Sequence, residues 1–249
     1  MRKVFLAAAL VSVLIASLIV YALAKGSIDF LREIDLSQLK DTGWFPRRDR
    51  FDLTTLLAAS VVMGLIAMLV AVPIGLATAI YLSEYAPRRV ASAGELLIDI
   101  MLGVPSIIAG LFAYLVLVPI LGFSGWAAIV ALSILMIPVL MRTTQEVLRL
   151  VPQGVKEASL ALGIPVWKTT LFVTCRTAFS GILTGLVLAF SRGLGETAPL
   201  ILTARGTNAA NFLDFGTTMN AMPIVIFQYS NAADSRSIGQ AWATALILL

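Results

Sequence analysis

Long apolar stretches alternate with shorter polar ones along most of this chain. A helix needs about 20 consecutive apolar residues to cross the hydrocarbon core of a bilayer, and the pattern predicts five such helices. Pro73 and Gly75 are expected to interrupt the second of them. An apolar tail at 238–249 is too short to cross, so we expect that a last span is incomplete here or that the natural chain continues. The predicted spans are 4–24, 53–83, 96–121, 126–141 and 178–204.

The polar segments between these spans predict the topology. Arg2 and Lys3 precede the first span and favour a cytoplasmic amino terminus. A cleaved signal peptide is the alternative, because residues 22–24 resemble a cleavage site, although the apolar core is long for a signal peptide. The remaining basic residues are divided almost evenly between the two sides and decide little. The predicted connections are a polar loop at 25–52, with an interfacial anchor at 44–46, and turns at 84–94 and 122–125.

Composition narrows the class of protein. The chain is 59% hydrophobic and 13% charged, whereas soluble domains carry about 25% charged residues. An all-α, polytopic membrane helix bundle is therefore expected. The sequence contains no histidine and a single cysteine, Cys175, which argues against metal and redox chemistry. We see no nucleophile–base constellation, so we do not expect an enzyme, and a net charge of +4 does not suggest nucleic acid as a partner.

One charged pair lies inside the fifth apolar stretch. Arg192 falls near the middle of 178–204, where a charge costs roughly 2.5–3.5 kcal/mol on insertion scales. Glu196 follows at i+4, on the same helix face and close enough to pair. Intramembrane charges usually face a protein interior or a water-filled path, so we interpret the pair as the functional centre of a transporter. A purely structural ion pair, or snorkelling of the arginine to the interface, is the alternative.

A second group of candidate residues follows the fourth span. Arg142 and Thr143 begin the long polar connection 142–176, where they are placed to contact an anion near the inner mouth of a pathway. A helix-end anchor is the alternative role. Neither role follows from the spacing alone.

The same connection predicts a helical hairpin at 151–168. Pro152 suits the first position of a helix, Gly163 suits the left-handed position that ends one, and Pro165 lies just beyond it. An ordered hairpin between two spans is a handle for a soluble partner. An ordinary solvated surface helix is the alternative.

Several motifs resemble the permeases of phosphate-specific ABC importers. Glu157, Ala158 and Ser159, with Gly163 six residues after the glutamate, resemble the EAA loop of ABC importer permeases, which seats in a cleft of the cytoplasmic ATPase. The resemblance covers about residues 53–249. The other matching segments are 84–87, 103–112, 142–144, 181–185 and 195–200.

Importers of this family have two related permease subunits, PstA and PstC. Residues 195–200 and 222–227 are more similar to PstA and residues 41–46 to PstC, and we favour PstA. Two positions depart from the family pattern. Ser159 replaces the second alanine of the motif, and Cys175-Arg176 stand where many members have Leu-Pro before the fifth span.

The resemblance implies a type I ABC importer permease with six transmembrane helices and cytoplasmic termini in the plasma membrane. It implies three protein partners besides membrane lipid: a second homologous permease, a cytoplasmic ATPase dimer and an external phosphate-binding protein. The permease itself would carry no cofactor, because ATP is bound by the ATPase. Residues 1–52 would form an amino-terminal helix and external loop, and 53–249 the permease core with a coupling loop at about 146–176.

The resemblance also assigns roles to the candidate residues. Arg192 and Glu196, with Arg142 and Thr143, would line the pathway for inorganic phosphate, since a guanidinium is always charged and its forked donors match phosphate oxygens. A permease for molybdate or sulfate is one alternative, because arginine chemistry does not separate these anions. A secondary transporter driven by an ion gradient is another, although it predicts inverted repeats that we do not find. The residues expected to couple to the ATPase are Glu157, Ala158, Ser159 and Gly163.

Overall fold

A computed structural model of the chain describes residues 1–33, 53–207 and 213–249. Within these residues the regular structure is helical, apart from one isolated bridge between Arg205 and Met219. Two short π-helical segments, π1 and π2, interrupt the series. The helices in chain order are α1 Arg2–Glu33, α2 Leu53–Ile80, π1 Tyr81–Tyr85, α3 Arg88–Gly103, α4 Ser106–Leu121, α5 Gly125–Arg149, α6 Gln153–Ala161, α7 Val166–Lys168, π2 Thr169–Thr174, α8 Cys175–Thr177, α9 Phe179–Leu194, α10 Ala198–Thr203, α11 Met222–Ser230 and α12 Ser235–Leu248.

Helices long and apolar enough to cross a membrane occur throughout the described residues. Three qualify alone, Lys3–Ile28, Leu53–Tyr85 and Gly125–Arg149. Two sharply bent pairs, α3 with α4 and the segment Val166–Thr177 with α9, raise the number to five if each pair counts as one span. These five follow the order of the predicted spans, so the prediction of an all-α, multi-pass membrane protein is confirmed.

The third span, predicted at 96–121, is broken into two helices in the structure. Its two helices, α3 and α4, meet at an angle of 96°. Val104, between them, has extended backbone angles (φ −69°, ψ 125°), because the residue before a proline is pushed out of the helical region and Pro105 follows. The predicted turn at 84–94 is also wrong, because α3 already begins after Pro87.

The fifth span is not one helix over 178–204 either. Helix α9 ends at Leu194, and a short turn leads into α10, which carries Pro199 in its first turn. Proline is well accommodated there, because the first amides of a helix have no partner inside it. Helix α10 packs so closely on α4 that a Cβ added to Gly110 would lie 2.8 Å from the Cα of Pro199.

Two further boundaries and one predicted interruption differ from the sequence-based ones. Helix α1 continues to Glu33 instead of ending at 24, α2 runs through Pro73 without a break, and α5 reaches Arg149 instead of stopping at 141. Hydropathy ends a predicted span at the first polar residue, whereas packing on neighbouring helices extends the helix beyond it. The predicted interfacial anchor at 44–46 and the PstC-like segment 41–46 lie outside the described residues, as does the boundary predicted at residue 52.

The chain divides into two compact units, and the first comprises residues 1–60 and 205–249. Its core contains Phe30 of α1, Leu56 of α2, Met222 and Val225 of α11 and Ala243 of α12. The hydroxyl of Ser60 accepts a hydrogen bond of 2.9 Å from the backbone N–H of Met222. Helix α1 lies close to α12, where a Cβ on Gly26 would be 2.6 Å from the Trp242 ring. This contact accounts for the extension of α1 beyond its apolar stretch.

The second unit comprises residues 61–204 and is built around α5. Most residues of α5 are buried, because α3, α4, α9 and α10 all pack against it. Three glycines of α9 allow the close approach. A Cβ on Gly181, Gly185 or Gly193 would come within 2.5 Å of Val147, 2.5 Å of Thr143 and 1.8 Å of Met136, respectively. Because residue numbers fall along α5 as they rise along α9, the two helices are antiparallel.

Candidate functional site

The predicted pair of Arg192 and Glu196 forms in the structure, but at a helix end. Arg192 occupies the last turn of α9, and Glu196 lies beyond Gly195, where the helix has finished. The Nε atom of Arg192 is 3.5 Å from Oε1 of Glu196. Arg192 is therefore not in the middle of a continuous helix, as its place in the apolar stretch predicted. A cation is favoured in the last turn, where the backbone carbonyls carry partial negative charge.

The geometry of this pair leaves the guanidinium accessible. The Arg192 side chain is 42% exposed, whereas that of Glu196 is 12% exposed. At 3.5 Å the contact is longer than the 2.7–2.9 Å typical of charge-assisted hydrogen bonds. It is a loose ion pair, which an incoming anion can replace at modest cost.

The turn that carries Glu196 is fixed from both sides. Its backbone N–H donates to the carbonyl of Gly193 at 3.3 Å, which closes the turn on the end of α9. On the other side, α10 is held by Gly110 of α4 and by the carbonyl of Thr203, which accepts a hydrogen bond of 3.0 Å from the Ser124 amide. Glu196 thus holds a fixed position while Arg192 projects from the adjoining helix.

Arg142 and Thr143 lie apart from that pair. On α5, Thr143 faces Gly185 and Met136 faces Gly193. Seven residues separate Met136 from Thr143, which corresponds to about 10 Å along a helix. The structure therefore places the two predicted pathway groups about two helical turns apart and does not bring them together.

Each residue of that second group already has local partners. Arg142 lies 2.9 Å from Glu146 on its own helix and 3.4 Å from Asp99 on α3. The hydroxyl of Thr143 donates to the carbonyl of Val139 at 2.9 Å. These contacts are those of a helix anchor, the alternative role for both residues.

Sequence reasoning missed the acidic partners on α3. Glu95 of α3 pairs with Arg149 of α5. The pair of Asp99 and Arg142 joins the same two helices. The signal was present, because the two arginines are seven residues apart and the two acids four, so each set lies on one helix face. It was missed because the predicted span begins at 96, which leaves Glu95 outside the helix that carries Asp99.

The predicted hairpin is present as α6, a turn and α7. Gly163 in the turn has φ +78°, the left-handed conformation that its sequence context predicted. Pro152 and Pro165 each stand immediately before a helix rather than inside it. The two-helix prediction for 151–168 is confirmed.

The four predicted coupling residues have different surroundings. Ser159 is buried, and its hydroxyl lies 2.8 Å from that of Thr169. Glu157, Ala158 and Gly163 are exposed. Ser159 therefore holds the hairpin to its own support, and the other three are available to a partner.

A cluster of exposed apolar side chains on the hairpin was not predicted. Leu162 is 81% exposed, and its neighbours are about half exposed. Exposed apolar side chains that lie close together in the sequence are characteristic of a protein or membrane interaction surface. The cluster consists of Leu160, Leu162, Val166 and Trp167.

The hairpin also contacts the end of α2. The Nζ atom of Lys156 on α6 lies 2.7 Å from Oε1 of Glu84 in π1. One residue further along, the Tyr85 hydroxyl donates to Thr170 of π2 at 3.1 Å. Nothing in the spacing of these residues predicts that they meet.

Comparison with known proteins defines the class. Residues 71–249 match the model of the family described as binding-protein-dependent transport system inner membrane component. The chain belongs to this family of transport permeases.

Individual relatives narrow the class further. The chain is 37% identical to the phosphate transport system permease protein PstA of Mycobacterium leprae over 78% of its length, and it spans 64% of that relative. It is 41% identical to PstA of Haemophilus influenzae over 72% of its length, spanning 64% of that protein. With PstA of Xylella fastidiosa the identity is 38%, and 82% of this chain and 71% of the relative are covered. The resemblance to phosphate importer permeases is confirmed, and these relatives carry the PstA name that we favoured.

Solved structures confirm the fold. The chain superposes on inward-facing structures of the MetNI methionine ABC transporter with a TM-score of 0.59 at 20% identity, covering 79% of this chain and 87% of the other. A second crystal form gives a TM-score of 0.58 at 17% identity. The helical arrangement is thus that of type I ABC importer permeases, as predicted.

Proposed function

We propose that this chain is the permease subunit of an ATP-driven importer of inorganic phosphate and forms half of its translocation pathway. The observation that carries the proposal is the accessible guanidinium of Arg192, loosely paired with Glu196 in a chain similar to PstA proteins. A subunit of this kind catalyses no covalent step. Its work is to present a pathway whose affinity for the anion changes with conformation.

The chemistry of the pair suits an anion that must be bound and then released. A guanidinium offers several N–H donors in a fixed plane, which match two oxygens of a phosphate. Glu196 holds Arg192 in place while the pathway is empty and competes for it once the anion has bound. Without such a competitor, a strong site would retain the phosphate and slow its transfer.

The hairpin supports the assignment of an ATPase partner. Its exposed residues, Glu157, Ala158 and Gly163, adjoin the exposed apolar cluster, and a partner that covers this cluster removes its apolar surface from water. We assign the partner as a cytoplasmic ATPase dimer, which binds the ATP, so the permease needs no cofactor of its own. In this proposal the hairpin faces the cytoplasm, and we assign the amino terminus to the cytoplasm as well.

The remaining partners complete the proposed importer. A second homologous permease supplies the other half of the pathway, and an external binding protein delivers the phosphate. Arg142 and Thr143 are assigned to the inner part of the pathway, where the acids Asp99 and Glu146 hold the arginine in the empty state. ATP closes the ATPase dimer, and the hairpin transmits that movement to the permease.

An uptake competition tests the proposed function. The purified complex is reconstituted in liposomes with ATP on the side of the ATPase, and entry of radiolabelled phosphate is followed. We expect uptake that requires ATP and that excess sulfate or molybdate does not suppress. Uptake that an ion gradient drives without ATP would contradict the importer, and suppression by sulfate or molybdate would assign the pathway to another oxyanion.

A further inference from the structure

We propose that Glu84 and Lys156 are a positioning pair that fastens the hairpin to the end of α2, so that hairpin and α2 move as one body. The nitrogen and oxygen of the pair are 2.7 Å apart, and the side chains are 16% and 11% exposed. This pair is the least exposed of the ion pairs between described residues. Removing one partner would leave the other charge largely buried and uncompensated.

Two further contacts reinforce this fastening. Tyr85 donates to Thr170 at 3.1 Å, and the hydroxyls of Ser159 and Thr169 are 2.8 Å apart. The first joins π1 to π2, and the second joins α6 to π2. Together with the ion pair, these two contacts connect the three segments α6, π1 and π2.

Glu84 and Tyr85 belong to the π-helical segment at the end of the second span. A π turn closes its hydrogen bonds one residue further along than an α turn. Glu84 and Tyr85 both lie within this wider turn, and their side chains contact Lys156 and Thr170 from there.

The consequence for transport rests on the proposed function. The hairpin is joined by the chain to α5 and to the segment leading into α9, but its chain connection to α2 is remote. The ion pair of Glu84 and Lys156 also transmits a movement of the hairpin to α2. Residues 61–80 of α2 belong to the same compact unit as the hairpin. Reversing one charge should therefore release α2 from the hairpin.

A distance measurement tests the fastening without any assumption about the substrate. Spin labels are placed at Gly154→Cys, where a side chain meets open space, and at Leu69→Cys, which is 74% exposed on α2, in a Cys175→Ala background. Leu69 lies about 22 Å along the helix from Glu84, at about 1.5 Å per residue. The full complex in lipid nanodiscs is measured by double electron–electron resonance with and without ATP.

The fastening predicts one narrow distance in the native pairing, unchanged in width by ATP. Lys156→Glu should broaden the distribution about twofold or prevent assembly, because two carboxylates then face each other. Combining Lys156→Glu with Glu84→Lys should restore both the assembly and the narrow distance. A single variant that stays narrow, or a combined variant that stays broad or fails to assemble, would overturn the proposal.

The functional consequence is measured on the same samples. Lys156→Glu should lower ATP hydrolysis stimulated by the phosphate-loaded binding protein about tenfold, and the combined variant should recover it to within about threefold, because charge complementarity is restored. Arg88→Glu, an exposed position for which the described residues show no ion pair, is the matched control and should keep full stimulation. Equal losses in the control and in Lys156→Glu, or no recovery in the combined variant, would overturn the coupling role. Absence of stimulation in the unaltered complex would instead refute the proposed function, and the distance result would still decide the fastening.

Discussion

At the scale of single residues, the position of Arg192 at a helix end changes what its charge means. Inside a continuous span, a guanidinium costs free energy because its charge is removed from water. In the last turn of α9 it is stabilised by the carbonyl end of the helix and remains 42% exposed. Glu196 is the more buried partner, because its side chain is only 12% exposed. A largely buried carboxylate beside an accessible guanidinium is the arrangement expected if the guanidinium binds the substrate.

Replacing Glu196 with glutamine tests its role as the competitor. The substitution keeps the shape and removes the charge, so phosphate should be released more slowly from Arg192. We expect a maximal uptake rate about fivefold lower together with a lower apparent KM, since an accessible ion pair contributes up to about 1 kcal/mol. Initial uptake rates over a range of phosphate concentrations measure both quantities.

Glu95→Gln is the matched control for that measurement. Glu95 is also paired with an arginine, Arg149, but at the contact of α3 and α5. It should leave both constants within about twofold of the native values, as surface ion pairs contribute little. An unchanged maximal rate in Glu196→Gln would refute the competitor role.

At the scale of helices, the hairpin was predictable and the bends in the spans were not. Pro152, Gly163 and Pro165 are local signals, and the observed helix ends lie within one residue of those they predict. The apolar run 178–204 conceals a helix end, because hydropathy measures composition and is blind to backbone direction. Gly195 and Pro199 stand at the break, but glycine and proline are also common inside spans and do not predict a helix end there. The ion pair of Glu84 and Lys156 joins residues 72 apart, and no local pattern reports such a contact.

The conformation of Gly163 provides a test of the hairpin. Its φ is +78°, and a Cβ at this position would meet nothing within 4 Å, so a substitution changes the backbone preference without a clash. A left-handed conformation costs an ordinary residue roughly 1–2 kcal/mol, which corresponds to a factor of about 5–30 in the folded population. Gly163→Val should reduce coupled uptake by about that factor while the permease remains in the membrane. Uptake and ATP hydrolysis in reconstituted complexes measure the loss.

Asparagine is the control at the same position. It tolerates the left-handed region far better than a β-branched residue, so Gly163→Asn should retain most of the coupled uptake. Equal uptake in the valine and asparagine variants would show that the turn conformation does not matter for coupling.

At the scale of the whole molecule, the sequence predicted the fold class, the order of spans and the family, because these depend on apolar run lengths and on local motifs. It did not predict the placement of candidate residues in space. Arg142 and Arg192 both stand in or beside apolar runs, and only the packing of α5 on α9 shows that they lie about 10 Å apart along the helices. The contacts Gly185–Thr143 and Gly193–Met136 set this register, and glycine spacing alone does not identify the partner helix.

If Arg192 binds phosphate in the pathway, ATP-driven phosphate uptake by an assembled Arg192→Ala complex is the most direct test of that role. The complex is purified with all subunits, reconstituted in liposomes with ATP, and compared with the native complex and with Arg88→Ala as a surface control. Losing a charged hydrogen-bonding partner should lower uptake roughly 10- to 100-fold, while assembly is retained. Uptake at the native rate by the assembled Arg192→Ala complex would contradict the account.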